Sequence, residues 1–330
     1  MHSLLVYQDG VIRAEFPLEE IGRTLANPNY TVWLDIQDPD EADIALLRDA
    51  LAFHPLAIED AIRAHERPKV DAYSPASESG PGSHYYSVVF YTAAYDPTQD
   101  HIETRPLHLF IGPNYLVTVH HGVIRHISET QARWQAPGSP LGSRVGSLVY
   151  ALLDAIVDDY FPIMDQVAER VEDLEDTIFV HFDERAIETI FGLKRDLLNL
   201  RRVVAPERDV LNVLLRRELP IFKARDTVYF QDIYDHIVRV TDSIDTYRDL
   251  LSSALDSYLS LQSNNLNQVM KLLTMASIVL MSSALVAGIY GMNFRFMPEL
   301  NQPWGYPFAL GLMALISLLL VLYFRRKGWL

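Results

Sequence analysis

Hydrophobic residues are concentrated near the C-terminus in two long runs that contain no charged side chain. The first run covers residues 272–290 and has 19 members, and the second covers residues 304–324 and has 21. A helix needs about 20 apolar residues to cross a hydrocarbon core of about 30 Å. The pattern therefore predicts a transmembrane hairpin, with its first helix over residues 268–290 and its second over residues 304–324.

A short segment, residues 291–303, separates the two predicted membrane helices. It begins with Gly291, Met292 and Asn293 and is too short to fold as a domain. Because this segment lies at the mouth of any pathway through the hairpin, we interpret its first three residues as a filter.

The part of the chain before the hairpin has a helical pattern of its own. No proline or glycine occurs between Pro220 and Gly288, so one helix is predicted over residues 226–290, with residues 226–267 as a stalk. Apolar residues repeat along the stalk at alternating spacings of four and three, which is typical of helices that pack against helical neighbours. They are Ile233, Ile237, Val240, Ile244, Tyr247, Leu251, Ala254, Tyr258 and Leu261.

Towards the membrane the same alternation, begun from a shifted position, selects polar and small residues. They are Ser263, Asn267, Met270, Thr274, Ser277, Met281, Ala284 and Gly288. Lipid does not stabilise asparagine, threonine and serine on one face of a helix, so this face is expected to turn away from lipid. Close packing of small residues against another helix and exposure to a pore both explain the stripe.

The first 145 residues predict an α/β domain. Apolar runs typical of strands occupy residues 31–36, 85–95, 108–111 and 115–120, and helical patterns occupy residues 41–53 and 56–64. Residues 74–83 are rich in serine, proline and glycine and predict a surface loop, to which we assign no function.

Residues 146–225 predict an antiparallel pair of helices. Helical patterns run over residues 146–180, with Pro162 as an expected kink, and over residues 184–204, with Asp183 as an expected N-cap.

The charge is distributed unevenly between the soluble and membrane parts. Residues 268–330 contain five basic side chains and one acidic, which leaves 23 basic and 42 acidic side chains in residues 1–267. Such a field repels nucleic acid and attracts cations, although an acidic surface that only maintains solubility has the same composition. The chain has no cysteine, which excludes disulfides and thiolate metal sites.

Flanking charges predict the orientation of the hairpin. The N-terminus has no basic segment followed by an apolar stretch, so no cleaved signal is expected. Arg325, Arg326 and Lys327 follow the second run directly, which places the tail, residues 325–330, on the cytoplasmic side. We expect a multi-pass protein of the inner (plasma) membrane with both termini in the cytoplasm and residues 291–303 outside.

Several motifs together resemble the CorA family of magnesium and cobalt channels. The resemblance extends over nearly the whole chain and is specific because Gly-Met-Asn occurs between two membrane spans. The matching segments are Gly291-Met292-Asn293-Phe294, Met297-Pro298-Glu299-Leu300, Trp304-Gly305-Tyr306-Pro307, the C-terminal Tyr323 to Leu330, His54-Pro55-Leu56, Glu59-Asp60, His65 to Val70, Asp158-Asp159-Tyr160-Phe161 and Tyr234-Asp235-His236.

The resemblance implies a fold and an assembly. The expected fold class is an α+β cytosolic domain of αβα type with a long stalk helix and a two-helix transmembrane hairpin, assembled as a pentameric funnel. Five first membrane helices would then line one pore, with Leu273 at its shoulder. Rings of Met270 and Met281 would form apolar constrictions that gate by dewetting. The implied pore-facing residues are Asn267, Met270, Leu273, Thr274, Ser277, Met281 and Ala284.

The filter residues suit a hydrated ion. Mg2+ gives up its waters reluctantly, so a fast pathway is expected to pass it hydrated. A ring of Asn293 amide oxygens, with Gly291 carbonyls, would bind those waters strongly enough to select the ion and weakly enough to release it. The alternative role of Asn293 is to cap the end of the first membrane helix beside a turn at Gly291.

The resemblance also implies regulatory cation sites in the cytosolic part. Asp60 would face Asp232 of the neighbouring subunit, and Mg2+ would be both transported and regulatory, with Co2+ also possible. A second, less certain position would involve Glu59, Asp154, Asp235 and His236. From sequence alone, an acidic ridge that repeats every seven residues is more often a solvated helix face than a chain of ligands. Its members are Asp235, Asp242, Asp249 and Asp256.

Three positions depart from the family pattern. Arg295 stands where many relatives carry a glutamate, and a ring of five would place positive charge at the mouth, which Glu299 would offset. Ser282 stands where a proline is common and Ala284 where a hydroxyl is common. These departures concern the curvature of the pore and its inner ion site.

Three other classes of function are alternatives to a magnesium channel. A proton-linked zinc transporter of the ZntB type shares the architecture, but the residues after Asn293 differ from the usual Gly-containing continuation of those relatives. A membrane-anchored coiled-coil scaffold leaves the polar stripe unexplained. An enzyme is not expected, since no nucleophile–base set or phosphate-binding glycine loop occurs. The expected partners are other copies of the chain and membrane lipid, with no nucleic acid; the choice among Mg2+, Co2+ and Ni2+ stays open.

Overall fold

In a computed structural model, the chain forms two compact units, residues 1–253 and residues 254–330. The expected N-cap Asp183 and nearly all of the loop 74–83 lie outside the residues that the structure describes. The described residues are 2–14, 16–63, 67–74, 84–98, 100–180, 185–216, 222, 224–293 and 295–329.

A mixed seven-stranded sheet organises the first unit. Its strand order is β2-β1-β3-β7-β6-β5-β4, with β3 and β7 parallel and every other neighbouring pair antiparallel. The central strands are buried on both faces, which explains their nearly continuous apolar sequences. The strands are β1 (His2–Gln8), β2 (Val11–Arg13), β3 (Thr31–Gln37), β4 (Lys69–Tyr73), β5 (Tyr85–Asp96), β6 (His101–Ile111) and β7 (Tyr115–His120).

Short helices cover one face of this sheet. They are α1 (Ile21–Ala26), α2 (Glu41–Ala45), a π-helical turn (Leu46–Ala50) and α3 (Pro55–Ile62). Alternate residues of the central strands, such as Leu34 and Val117, pack with Leu47 and Ala57 in one buried core. The sequence pattern for residues 41–53 therefore covers two short elements instead of one helix.

Longer helices cover the opposite face. They are α4 (Arg125–Gln135), α5 (Val145–Asp158), α6 (Tyr160–Val180) and α7 (Arg185–Arg216). Trp33 of β3 projects to this face, where its ring lies 6.2 Å from that of Trp134 in α4. The sheet is thus sandwiched between helices, and the αβα class is confirmed.

Two helix boundaries differ from the sequence expectation. The helix expected over residues 146–180 is interrupted at Asp159, and Pro162 lies in the first turn of α6, where its missing N–H is no loss. Helix α7 continues through Pro206 for a further three turns beyond residue 204. Strands β1, β2 and β4 and helices α1 and α4 were not predicted.

One long helix, α8 (Ala224–Tyr290), contains the predicted stalk. Seven of the nine seam residues are buried, and Tyr247 and Leu261 are partly buried, so the coiled-coil-like pattern is confirmed. Arg201 of α7 binds Asp245 of α8 with N–O distances of 2.7 and 3.2 Å, and Lys194 donates to Ser252 at 2.8 Å. These polar contacts flank the apolar seam between the two helices.

The second unit contains both apolar runs. The end of α8 and a ninth helix, α9 (Gly305–Arg326), have mean hydropathies of 2.1 and 2.3 and are long enough to span a membrane. A 3₁₀ turn (Pro298–Asn301) lies between them. At the C-terminal end of α9, Gly328 has φ +69° and the Trp329 N–H donates to the Phe324 carbonyl at 3.1 Å. This Schellman-type ending stacks the two rings 5.4 Å apart.

Candidate ion pathway and regulatory site

The Gly-Met-Asn segment directly follows the last turn of α8. The Gly291 N–H donates to the Ala287 carbonyl at 2.9 Å, and the Met292 N–H donates to the Ile289 carbonyl at 3.3 Å. A Cβ at Gly291 would lie 3.2 Å from the Ala287 oxygen, so glycine permits this close approach. Gly291 does not have the positive φ of a left-handed turn.

Asn293 takes no part in ending the helix. Its side chain is exposed and makes no hydrogen bond with any other residue that the structure describes. Backbone N–H groups of Gly291 and Met292 satisfy carbonyls of the last turn instead. Within one chain, the amide of Asn293 is therefore available to a ligand.

The polar stripe of α8 lies opposite the face that the chain buries. Met275 and Val286 are buried, and Val279, Ser282, Ser283 and Tyr290 are partly buried, which defines one face of the helix. At about 100° per residue, the centre of the stripe lies roughly 170° from the centre of that face. All seven implied pore-facing residues are exposed in the single chain: Asn267, Met270, Leu273, Thr274, Ser277, Met281 and Ala284.

Hydroxyl groups on α8 are mostly satisfied by the helix itself. The Thr274 hydroxyl donates to the Met270 carbonyl at 2.7 Å, which leaves its lone pairs facing outward from the stripe. Ser282 and Ser283 both donate to the Val279 carbonyl, at 2.8 and 3.1 Å. Ser282 thus belongs to the partly buried face, on the opposite side of the helix from the stripe.

The segment between the two apolar helices contains two charged residues. Arg295 and Glu299 are both exposed, and they form no ion pair with each other in the described part of the chain. Glu299 lies in the 3₁₀ turn, whose position depends on a glycine: a Cβ at Gly305 would lie 2.1 Å from the Glu299 carbonyl oxygen. Any larger residue at position 305 would displace this turn.

Asp60 forms an ion pair within the chain. It projects from α3, and its Oδ2 lies 2.8 Å from Nζ of Lys69 on the edge strand β4. The sequence expectation named only Asp232 of a neighbouring copy as a partner of Asp60, and the structure adds Lys69. Sequence reasoning missed Lys69 because helix and strand meet here only through the tertiary fold.

Asp232 lies beside a histidine one turn further along α8. Its side chain is 60 % exposed, and Oδ1 lies 3.8 Å from Nε2 of His236. The other ring nitrogen of His236, Nδ1, lies 3.2 Å from Asp158 Oδ1 at the end of α5. The histidine therefore lies between carboxylates of two helices, and its buried Nδ1 has no hydrogen-bond partner among the described residues.

Asp154 belongs to the same acidic neighbourhood. Burial raises the pKa of Asp154, and the charges of Asp158 and Asp232 raise it further, because each disfavours another negative charge. Burial and the adjacent Asp154 also raise the pKa of Tyr150 to about 12. This neighbourhood holds an excess of negative charge that a cation would relieve.

The structure regroups the residues expected at the second cation position. Asp154 and His236 lie in one neighbourhood with Asp158, but Glu59 pairs with Arg63 at 2.7 Å and Asp235 accepts from Gln231 at 3.0 Å. The sequence expectation did not include Asp158. Its position four residues after Asp154 on α5 places both carboxylates on one face of the helix, which could have indicated it. Among the described residues of one chain, no three histidine or carboxylate side chains are arranged to hold a metal ion.

The acidic ridge along α8 is solvated in the single chain. Asp235, Asp242, Asp249 and Asp256 are all exposed. Of the described carboxylates on this helix, Asp245 is the one held by two arginines, Arg201 and Arg248, which lower its pKa. The solvated-face interpretation therefore fits the ridge.

Known proteins resemble the chain over nearly its whole length. A family model described as CorA-like Mg2+ transporter protein matches residues 28–326. The cobalt/magnesium transport protein CorA of Thermotoga maritima is 33% identical over 300 residues, which cover 90% of this chain and 83% of that protein.

Solved structures agree with the sequence matches. The complete structure of the CorA magnesium transporter from Methanocaldococcus jannaschii superposes with a TM-score of 0.84 and 27% identity, covering 100% of this chain and 99% of that one. The cytoplasmic domain of ZntB from Vibrio parahaemolyticus shares the fold, with a TM-score of 0.62, 11% identity and coverage of 79% and 98%.

Proposed function

This chain belongs to the family of CorA-like Mg2+ transporter proteins, and from that premise we propose that it is a homopentameric channel that admits Mg2+ and Co2+ to the cytosol. The observation that carries this proposal is the position of the polar stripe on α8. It is exposed, it lies opposite the buried face, and it leads to Asn293.

Five copies of α8 around one axis would bring the stripes together. Asn267, Thr274 and Ser277 would then offer polar atoms to a hydrated ion, and Met270 and Met281 would form apolar rings between them. An apolar ring closes to a hydrated ion when it dewets and opens with a small increase in radius. The pore therefore needs no separate plug.

At the outer end of the pore, Asn293 is the proposed receptor for the hydrated ion. Its amide has no partner in the described chain, so it can accept hydrogen bonds from the ion's waters without disrupting α8. A neutral ring of amides holds a hydrated cation less tightly than a ring of carboxylates would, which favours release. Gly291 and Met292 position it through the backbone of the last helical turn.

The proposed feedback acts at subunit interfaces. Asp60 of one subunit and Asp232 of the next would share a regulatory Mg2+, and the neighbourhood of Asp154, Asp158 and His236 would hold a second cation nearby. Two unpaired carboxylates about 4 Å apart repel by roughly 4 kcal/mol at an effective dielectric of about 20, and a bridging ion reverses this. The ammonium group of Lys69 beside Asp60 offsets part of this repulsion. Inverting a 1:99 equilibrium takes about 5.5 kcal/mol, or about 1 kcal/mol from each of five interfaces.

The proposed orientation places both termini in the cytoplasm and residues 291–303 outside the inner membrane. Arg325, Arg326 and Lys327 at the C-terminal end of α9 support it by the positive-inside rule. The acidic composition of residues 1–267 also suits a body that collects cations near the inner end of a pathway.

Ion flux into liposomes tests the proposed transport. Purified full-length protein is reconstituted, and uptake of Mg2+, Co2+, Ni2+ and Zn2+ is compared with and without an imposed pH gradient. The expected result is Mg2+ and Co2+ uptake that does not depend on the proton gradient. Zinc uptake that requires the gradient would replace this proposal with a ZntB-like proton-coupled transporter, and no uptake of any ion would reject both.

A further inference from the structure

The proposed regulatory ligand Asp60 already forms an ion pair with the side-chain ammonium group of Lys69. Lys69 Nζ lies 2.8 Å from Asp60 Oδ2, with the aspartate side chain 14 % exposed and the lysine side chain 34 % exposed. A partly buried pair is screened less than a surface pair and holds its geometry better. An incoming metal ion therefore competes with an ammonium group at this carboxylate.

A second carboxylate lies within reach of the same ammonium group. Asp71 Oδ2 is 4.0 Å from Lys69 Nζ, and its side chain is 46 % exposed. Lys69 and Asp71 are two residues apart on β4, so their side chains project from the same face of the strand. A rotation of the flexible lysine side chain is sufficient to transfer the ammonium group from Asp60 to Asp71.

The nearest buried histidine does not supply a competing positive charge. His108 of β6 is 2 % exposed, and its ring nitrogens have no partner among the described residues. Burial lowers the pKa of His108 to about 4, and the charges of Asp60 and Lys69 act on it in opposite directions. At neutral pH the ring is uncharged, and among the described residues Lys69 is the cation paired with Asp60.

We propose that Lys69 is a tethered competitor of the regulatory Mg2+: it neutralises Asp60 in the metal-free state and moves to Asp71 when the metal binds. This inference rests on the proposed function of Asp60 as a regulatory ligand. Because every Mg2+ ion must displace the ammonium group, Lys69 sets the internal magnesium concentration at which the channel closes. Asp71 lowers that concentration by accepting the displaced lysine.

The two residues predict opposite shifts in a magnesium titration. Full-length protein is digested with a limiting amount of protease at increasing MgCl2, and the concentration that gives half-maximal protection is measured. Lys69→Met removes the charge but keeps the side-chain stem, and the half-protection concentration is expected to fall about fivefold, the scale of a partly exposed ion pair. Asp71→Asn removes the carboxylate proposed to accept the displaced lysine and is expected to raise the concentration.

Matched variants separate this effect from a change in net charge or folding. Lys69→Arg keeps the positive charge and is expected to reach half-maximal protection at nearly the same MgCl2 concentration as the wild type. Arg105→Met removes a positive charge from the same domain, at an ion pair with Glu103 on β6, and is expected to leave the concentration unchanged. In the Lys69→Met background, Asp71→Asn is expected to have less effect than in the wild type.

The outcomes distinguish this inference from the function on which it rests. Asp60→Asn is expected to weaken protection of the protein by Mg2+. If the wild type shows no protection, both the interface sensor and the competitor are wrong. If Asp60→Asn weakens protection but Lys69→Met leaves or raises the half-protection concentration, the competitor alone is wrong. Should Lys69→Met fail to assemble, an unshifted titration of Asp71→Asn overturns the inference by itself.

Discussion

At the residue scale, two side chains in the segment after α8 have opposite consequences for a cation. Asn293 and Arg295 are both exposed and two positions apart. The first offers a neutral amide oxygen, and the second carries a full positive charge. Five copies of each around one axis would multiply both effects.

Asn293→Ala is expected to reduce ion uptake to the background of empty liposomes while leaving the oligomer intact, because the amide is the proposed receptor for the hydrated ion. Uptake is measured in liposomes and assembly by size-exclusion chromatography with light scattering. Asn301→Ala, in the 3₁₀ turn of the same segment, is the matched control and is expected to conduct normally. Wild-type uptake by Asn293→Ala would remove this residue from the filter.

Arg295→Glu is expected to raise uptake at low external Mg2+, because it replaces about five positive charges at the mouth with five negative ones. The gain is expected to shrink in high salt, since exposed charges are screened over about 8 Å at physiological ionic strength. Uptake is measured at several salt concentrations, with Arg295→Gln as an intermediate. A gain that is independent of ionic strength would contradict an electrostatic role.

At the element scale, one buried carboxyl group joins β5, α6 and α7. Glu207 of α7 is 0 % exposed, and its Oε1 accepts the Tyr91 N–H of β5 at 2.9 Å. The Tyr160 hydroxyl of α6 donates to the Tyr91 carbonyl at 2.8 Å and lies 3.1 Å from Glu207 Oε2. Burial raises the pKa of Glu207 well above its usual range. A protonated Glu207 can donate to the Tyr160 oxygen and complete this ring of hydrogen bonds.

The raised pKa of Glu207 gives a stability prediction with a definite sign. The folded state keeps this proton after the unfolded state has lost it, so stability falls as pH rises above the unfolded pKa of about 4.3, by at most about 1.4 kcal/mol per pH unit. Glu207→Gln keeps the acceptor oxygen and cannot ionise. Its melting temperature is therefore expected to depend less on pH than that of the wild type.

Thermal unfolding of the wild type and Glu207→Gln between about pH 5 and pH 8 tests this sign. Glu188→Gln is the control, because Glu188 lies exposed on the same helix and is expected to leave the pH dependence unchanged. Parallel pH profiles for Glu207→Gln and the wild type would show that folding does not raise the pKa of Glu207, and would contradict this prediction.

At the scale of the whole molecule, the proposed feedback requires contact between copies of the chain. Asp60 is paired with Lys69, and Asp232 is largely exposed beside His236. Among the described residues of one chain, neither carboxylate has a complete set of metal ligands. The interface is where their oxygens would be combined.

Asp232→Ala is expected to leave conduction intact and to weaken the response to internal Mg2+, because it removes one proposed ligand at each interface. Limited proteolysis over a magnesium titration, with flux as a second readout, measures the response. The variant also loses a carboxylate repulsion, so it need not be open at all times. Unchanged protection at the same magnesium concentration would return Asp232 to the solvated surface.

Asp242→Ala is the matched control for that variant. Asp242 is exposed on the same helix and belongs to the acidic ridge. Asp242→Ala is expected to become protected from protease at the same magnesium concentration as the wild type.

The local sequence pattern was sufficient to predict those segments whose structure follows from a single regular pattern of residues. Two charge-free runs predicted the hairpin, the alternation of four and three predicted the buried seam of α8, and Gly-Met-Asn between two spans identified the family. These signals are readable because burial in lipid or along a helix seam constrains residues at fixed spacings. The same periodicity, however, left the stripe of α8 open to two interpretations.

Tertiary structure decided which residues meet across elements. The pairing of Asp60 with Lys69 depends on the packing of α3 against the edge strand β4, and the grouping of Asp158 with His236 depends on α5 meeting α8. Pro206 within α7 and the break at Asp159 were likewise set by packing, which outweighs local propensity. Sequence alone determined which segments are apolar and helical, because that information is local. The partners of each charge were determined only by the fold, because residues far apart in the chain become neighbours there.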